Sequence, residues 1–518
     1  MNKQLHTRSL GIYGSRLGRF LMMLALMLPL LAFSPAQENA PKAHAALLEM
    51  AARQPNATVS VIVQEMASSN AESVVARLGG TVTKDLHIIN AFAAQMTAKT
   101  ALELSKSDSV RWVSMDAAMV STLCTVGCTG VDTSKLRSPY VQAVQAPSVW
   151  NSPDYLQGQG IGVAVVDSGI TATHADLQNA AGTGSRVVAS VSINSTSVTT
   201  SDEYGHGTHV AGIIGGNGSA SNGNYIGVAP KVNLINVKVS DDTGAVSASD
   251  VVSGLQWILN NKDAYNIKVV NLSLNSSIMQ DYNVDPLDAA VEILWFNKIV
   301  VVVASGNEGR NALYPPANDP FVITVGAVDD MGTADTRDDV VASYSAYGRT
   351  IDRVSKPDLV APGTNMISTL PSDVAVTSRE HSDHRVTGFP GARYYFRMSG
   401  TSMAAPVVAG AAALLIQDEP YLTPDQVKYR LMATTRRMNG PRAGAGELDV
   451  SAAVNGTTLL SANTGIPASQ LLWTGSTPIT WTSVNWGSVN WGSVNWGSVN
   501  WGSVNWGSVN WGSDNWDY

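Results

Sequence analysis

Ile161-Gly162-Val163-Ala164-Val165-Val166-Asp167 is a nearly continuous apolar run that stops on a carboxylate. A strand with one wet face alternates polar and apolar residues, whereas an uninterrupted run reads as a strand covered on both faces. The signature recurs at residues 232–239, 269–274 and 299–304, and helix-like stretches such as 249–260 and 286–297 separate the runs. Alternating helices and doubly buried strands predict the α/β class: a doubly wound, mostly parallel sheet with helices on both faces. In open sheets of this kind ligands bind outside the carboxyl ends of the strands.

Two polar residues occupy those ends. Asp167 closes the first run ahead of Ser168-Gly169-Ile170, and Asn307 follows the run at 299–304 within Ser305-Gly306-Asn307-Glu308-Gly309. Between them, Gly205-His206-Gly207-Thr208-His209-Val210-Ala211-Gly212 sets two histidines among glycines at the start of an apolar helix. Further on, Met398-Ser399-Gly400-Thr401-Ser402-Met403-Ala404-Ala405-Pro406 precedes a helical run at 407–417, which places Ser402 at a helix N-terminus. Backbone N–H groups there are unpaired and the helix dipole is positive, so negative charge on an attacked carbonyl oxygen would be stabilised. Acyl transfer needs a nucleophile, a base, a carboxylate to hold the imidazole and donors for the oxyanion. Ser402, His206, Asp167 and Asn307 are of the right types. Each also has an ordinary structural reading: a helix cap for Ser402, a packed core histidine, a turn cap for Asp167 and a left-handed turn for Asn307. Together, on the strand ends and helix starts of one sheet, they make coincidence a poor explanation.

These segments resemble the subtilisin-like serine proteases. Val166-Asp167-Ser168-Gly169-Ile170 is similar to that family's aspartate segment and His206-Gly207-Thr208-His209-Val210-Ala211-Gly212 to its histidine segment. Gly400-Thr401-Ser402-Met403-Ala404-Ala405-Pro406 is similar to its serine segment and Ser305-Gly306-Asn307-Glu308-Gly309 to its oxyanion asparagine segment. The order Asp, His, Ser is the family's own. The similarity runs from about Trp150 to Val454, including Asn271-Leu272-Ser273-Leu274 and Lys356-Pro357-Asp358. It implies a serine endopeptidase with His206 as base, while His209 is buried on the same helix or supports it, and no cofactor for catalysis. It also implies that residues 37–122 are an inhibitory propeptide and folding chaperone, the chain's own intramolecular partner, removed by self-cleavage near Thr122. Protein or peptide substrates would bind extended, between Ser273-Leu274-Asn275 and Thr243-Gly244-Ala245, with Gly306 among the binding residues. Asn275 departs from the resemblance, since glycine is usual there, and this leaves the pocket depth open. With no acidic residue placed to read a basic side chain, the expected preference is broad and apolar-leaning. Asp176 and the loop 216–225 fall where many relatives hold calcium as a structural ion. The loop offers oxygens but few carboxylates, so a solvated loop stands beside the metal site.

The remainder of the chain is compatible with such an enzyme. At 518 residues it is long enough for two folded domains, and a charged fraction of 14% with a net charge of −8 argues against nucleic acid as a partner. Lys3, Arg8, Arg16 and Arg19 precede an apolar run at 20–33, with Ser34 and Ala36 suiting cleavage, so residues 1–36 read as a signal peptide and the protein as secreted and extracellular. No other apolar stretch is read as long enough to span a membrane. The only cysteines, Cys124 and Cys128, are placed for a local disulfide in an oxidising compartment. Residues 37–122 show strands at 59–63, 88–96 and 110–113 and helices at 71–78 and 98–105, an order that predicts a ferredoxin-like two-layer sandwich. The catalytic domain is expected over 123–455, followed by a linker at 456–482.

A tail closes the chain. From Ser483 the unit Ser-Val-Asn-Trp-Gly repeats, and eight of the thirteen tryptophans lie between Trp481 and Trp516. A period of five turns successive tryptophans to opposite faces of a strand, and glycine in every unit disfavours a helix. Disorder or conditional order is the expected state. The tail also supports a second class of function, a surface-binding protein attached to cell wall or polymer with proteolysis secondary. A lipase or esterase would need Gly-x-Ser-x-Gly and the order Ser, Asp, His. A zinc hydrolase would need a glutamate that His206-Gly207-Thr208-His209 lacks.

Overall fold

The computed structural model of the protein describes residues 41–66, 70–86, 90–116, 130–197, 199–438, 440–472 and 509–510. The signal segment, Cys124, Cys128 and most of the repeat tail lie outside the described residues. The chain divides into two compact units between Val120 and Ser121.

In the first unit, α1 (Ala45–Arg53) precedes β1 (Thr58–Glu65), α2 (Ala71–Arg77), β2 (Thr81–Leu86), β3 (Ala91–Thr97), α3 (Ala98–Ser105) and β4 (Val110–Met115). The strands form one antiparallel sheet in the order β2-β3-β1-β4, with Val61 paired to Ala94 and to Met115. This is the ferredoxin-like arrangement. Alternation along β1 buries Val59, Val61 and Val63 against Leu47, Val75 and Leu104. β2 and α1 were not expected. Thr-Val-Thr-Lys-Asp-Leu is an edge strand with mostly exposed side chains, so it carries no apolar signal and is held by its backbone pairing to β3.

The second unit opens with two short helices, α4 (Pro139–Ala143) and α5 (Ala146–Trp150), whose Trp150 is fully buried and donates its indole N–H to Val228 O at 2.8 Å. Eight strands form its main sheet. β5 (Gly162–Asp167), β6 (Val187–Ser192), β7 (Asn233–Lys238), β8 (Ile267–Leu272), β10 (Val300–Ala304) and β11 (Ile323–Asp329) run parallel, with Leu359–Pro362 parallel beyond β11 and the short edge β12 (Val340–Val341) antiparallel. β9 (Asn275–Ser276) lies just beyond β8. Every residue of β5 and of β10 is buried, as their unbroken apolar runs predict. Helices α6 (His206–Gly215), α7 (Ala248–Asn261), α8 (Pro286–Phe296), α9 (Val376–Glu380), α10 (Thr401–Asp418), α11 (Pro424–Ala433) and α12 (Val450–Val454) complete the unit. The strand order β12-β11-β10-β8-β5-β7-β6 reverses at β5, so the switch point lies between the carboxyl ends of β5 and β8.

α10 packs against β8, β10, β11 and α6 and is buried without interruption from Thr401 to Ile416. By length and composition it could cross a membrane, which corrects the expectation that no stretch after the leader could do so. Burial on all sides makes it instead the central helix of the core. Beyond α12 the chain stays docked: Ala468 and Leu472 are buried, and Ser469 donates its N–H to the Glu292 carboxylate at 2.8 Å. In the tail, Val509–Asn510 pairs antiparallel with β9, Asn510 opposite Asn275.

Candidate active site at the switch point

Asp167, the last residue of β5, accepts the Ser168 N–H at 2.7 Å on the oxygen that also meets His206 Nδ1 at 2.8 Å. His206 is the first residue of α6, and both side chains are buried. The close approach depends on Gly207, where a Cβ would stand 2.2 Å from Gly169 O and 3.0 Å from the Asp167 carboxylate. The N-terminus of α6 is satisfied by two side chains that the sequence reading passed over. Asp202 accepts the Gly205 and Thr208 N–H groups, both at 2.7 Å, and the Ser168 hydroxyl at 2.8 Å; Ser168 Oγ in turn accepts the Gly207 N–H at 2.9 Å. Burial pushes the Asp202 carboxyl upward while these donors oppose the shift. An aspartate four residues before His206, ahead of an apolar helix, was the available signal.

His209 sits one turn along, fully buried, with Nε2 at 3.1 Å from both Met366 O and Phe396 O. Burial lowers its pKa to about 3, so it is a neutral N–H donor tying α6 to the strands Met366–Thr369 and Tyr395–Met398. Of the two histidines, only His206 faces the carboxylate.

Ser402 is the second residue of α10 and lies against the end of β8. Its hydroxyl donates to Ser273 O at 3.2 Å, and the Ser273 hydroxyl donates to Ser402 O at 2.8 Å. The second bond has a local cause. Ser402 O would ordinarily accept the N–H of residue 406, but Pro406 has none, so the carbonyl is left for a side chain. Asn307 accepts the Thr401 N–H at 2.9 Å and the Thr401 hydroxyl at 3.0 Å, both on Oδ1. Two donors on one end fix the amide's orientation and turn Nδ2 toward Gly400, where a Cβ would stand 3.1 Å away. Asp167, His206, Ser402 and Asn307 therefore gather where β5, β8, β10 and the N-termini of α6 and α10 converge.

The flanking residues are placed unequally. Ser273, Leu274 and Asn275 are buried beside Ser402, and Gly306 donates its N–H to Thr401 Oγ1 at 3.0 Å. Thr243-Gly244-Ala245 is a capped turn. Asp241 accepts the N–H groups of Thr243 and Ala245, and the Asp241 N–H bonds back to Ala245 O, so much of this backbone is committed internally.

Near Asp176 the donor set does not fit calcium. One carboxylate oxygen accepts the Ala220 N–H at 2.7 Å and the other the Tyr395 hydroxyl at 2.6 Å. The buried Arg186 guanidinium supplies a positive charge here, donating to the carbonyls of Asp176, Gln178, Gly215 and Val232. Burial lowers its pKa to about 10, which leaves it charged at neutral pH. Among the described residues no three carboxylate, histidine or cysteine side chains converge as metal ligands.

Residues 158–458 match the subtilase family. The chain belongs to that family. This subtilase is 40% identical over 297 residues to serine protease AprX of Bacillus subtilis, a match covering 56% of the chain and 64% of AprX, so it spans less than two thirds of that relative. It is 33% identical over 396 residues to subtilisin NAT of Bacillus subtilis subsp. natto, across 75% of the chain and 87% of the relative. In fold it is similar to fervidolysin from Fervidobacterium pennivorans, a keratinolytic enzyme related to subtilisin. The TM-score is 0.51 at 24% identity, over 78% of the chain and 61% of fervidolysin. Residues 482–517 of the subtilase match pentapeptide repeats in eight copies.

Two predictions follow from these contacts, both read by urea denaturation or thermal melting in a Ser402→Ala background. Ser273→Ala strands the Ser402 carbonyl and is expected to cost about 1–3 kcal/mol, and adding Pro406→Ala, which supplies an N–H, recovers most of it. Chelation before heating is expected to leave the melting temperature unchanged, whereas Arg186→Met lowers stability by roughly 3–5 kcal/mol.

Proposed function

We propose that this subtilase is a secreted serine endopeptidase that cleaves peptide bonds through an acyl-enzyme on Ser402, matured by removal of its own propeptide. The observation that carries the reading is the 2.8 Å contact of His206 Nδ1 with Asp167, formed at the start of one buried helix while Ser402 stands at the start of another. Asp167 accepts a hydrogen bond from the Nδ1–H and fixes the tautomer, which leaves Nε2 to take the Ser402 proton as Oγ attacks the carbonyl carbon. The oxyanion that forms is held by the Ser402 backbone N–H at the positive end of α10 and by Asn307 Nδ2. His206 then returns the proton to the departing amine, and water, activated in the same way, releases the acyl group.

Substrate backbone adds as a strand along Ser273-Leu274-Asn275, where main-chain pairing gives affinity without demanding a sequence. On the other side most of the 243–245 backbone is turned inward, so pairing along Ser273-Leu274-Asn275 carries the main-chain recognition. Residues 37–122 serve as the inhibitory propeptide, and the ferredoxin-like fold of the first unit agrees with that role.

A second reading concerns the tail. Its eight-copy repeat and its tryptophans support attachment to a cell surface or polymer, while the pairing of Val509–Asn510 with β9 sets one repeat beside the substrate edge.

Purified wild type is expected to lose the signal and propeptide mass and to hydrolyse casein, while Ser402→Ala stays unprocessed and inert; intact mass and a casein assay read both. A Ser402→Ala protein that matures and cleaves like wild type removes Ser402 from the chemistry. Asn307→Ala should lower kcat by roughly 10²–10³, the magnitude known for the corresponding asparagine of subtilisins. A chain ending at Leu472 is expected to keep its kcat, to show a lower KM for extended peptides and to stop co-sedimenting with cells or insoluble polymer. Failure of that shortened chain to mature would make the tail structural.

A further inference from the structure

We infer that Asn275 blocks the pocket for the residue preceding the cleaved bond, so that the enzyme takes proteins with glycine, alanine or serine at that position. The inference rests on the endopeptidase reading above and refines it, replacing a broad, apolar-leaning preference with a narrow one.

The place of that side chain follows from the groups around the attacked carbonyl. Ser402 Oγ is 3.2 Å from Ser273 O, and Asn307 stands on the opposite side, at the end of the segment that leaves β10. A substrate whose carbonyl lies between Ser402 and Asn307, with its backbone along Ser273-Leu274-Asn275, must send its side chain between two walls. One wall is Ser273–Asn275, continuing β8. The other is Ala304–Gly306, continuing β10.

Asn275 spans that gap. Its Nδ2 donates to Ala304 O at 3.0 Å, and a Cβ built on Gly306 would come within 3.6 Å of its Oδ1. The side chain thus bridges one wall to the other at van der Waals distance, and Asn275 is only 4% exposed. With glycine at this position the slot would be open between two backbones. With asparagine the slot is occupied, and displacing the amide would cost its bond to Ala304 O and strand a buried carbonyl. Asn275 Oδ1 has no hydrogen-bond partner among the described residues. A buried acceptor facing the slot favours a substrate group that can donate, which adds serine to glycine and alanine.

The test is kcat/KM for a series of peptide amides that differ only in the residue before the scissile bond: glycine, alanine, serine, leucine and phenylalanine. Wild type, Asn275→Ala and Asn275→Gly are compared, each concentration being set by titration with a small sulfonyl fluoride so that misfolded protein drops out. Wild type should prefer alanine and serine to phenylalanine by more than tenfold. Asn275→Gly should raise the phenylalanine-to-alanine ratio by roughly 100-fold, with Asn275→Ala between. A wild type that cleaves the phenylalanine peptide as well as the alanine one, or an Asn275→Gly ratio equal to wild type, overturns the inference while the endopeptidase reading stands. A wild type that neither cleaves any member of the series nor reacts with the sulfonyl fluoride overturns both.

Discussion

The site depends on a helix N-terminus buried in the middle of the protein. α10 has no solvent at its start, so its unpaired N–H groups and the carbonyl orphaned by Pro406 must be answered from neighbouring elements. Asn307 takes the Thr401 N–H, and Ser273 gives its hydroxyl to the Ser402 carbonyl. Those bonds join α10 to the ends of β10 and β8 and set the position of the Ser402 hydroxyl. α6 repeats the solution with Asp202 and Ser168 as the answering groups, and His206 is thereby held on Asp167. The groups that would do chemistry and the groups that complete two helix ends are interleaved residue by residue.

What was legible in the sequence follows from where the physics leaves a mark. β5, β7, β8 and β10 are buried on both faces and so spell themselves out as apolar runs. Asp167, His206, Asn307 and Ser402 stand out because each is polar where such a run ends or an apolar helix begins. β2 left no mark, since an exposed edge strand is held by its backbone. Asp202 was missed because its bonds run between elements, and its place four residues before His206 was the one mark it left in the sequence. The turn at 243–245 looked like a free edge for the same reason: the Asp241 carboxylate that consumes its N–H groups is visible only once the loop has closed. α10 was read as a helical run over 407–417 only; it begins at Thr401, and apolar composition alone does not separate a core helix of that length from one that crosses a membrane.

Two departures from the family resemblance share one physical theme, the replacement of empty or ionic space by a protein side chain. At Asp176 the oxygens that the resemblance would assign to calcium are met by Tyr395, Ala220 and Arg186. At residue 275 an amide lies where glycine would leave a gap. In each case the side chain is buried and bonded to its own fold.

The order of the sheet has a consequence in time. β5 is central, Asp167 stands at its end, and the serine-bearing helix comes only after β11 and the Leu359–Pro362 strand have been added on one flank. The parallel contacts between these strands join residues far apart in the chain, and such contacts form late and slowly. Asp167, His206 and Ser402 can therefore meet only after nearly the whole second unit has assembled around α10. A nascent or half-folded copy carries every residue needed for hydrolysis and can cut nothing.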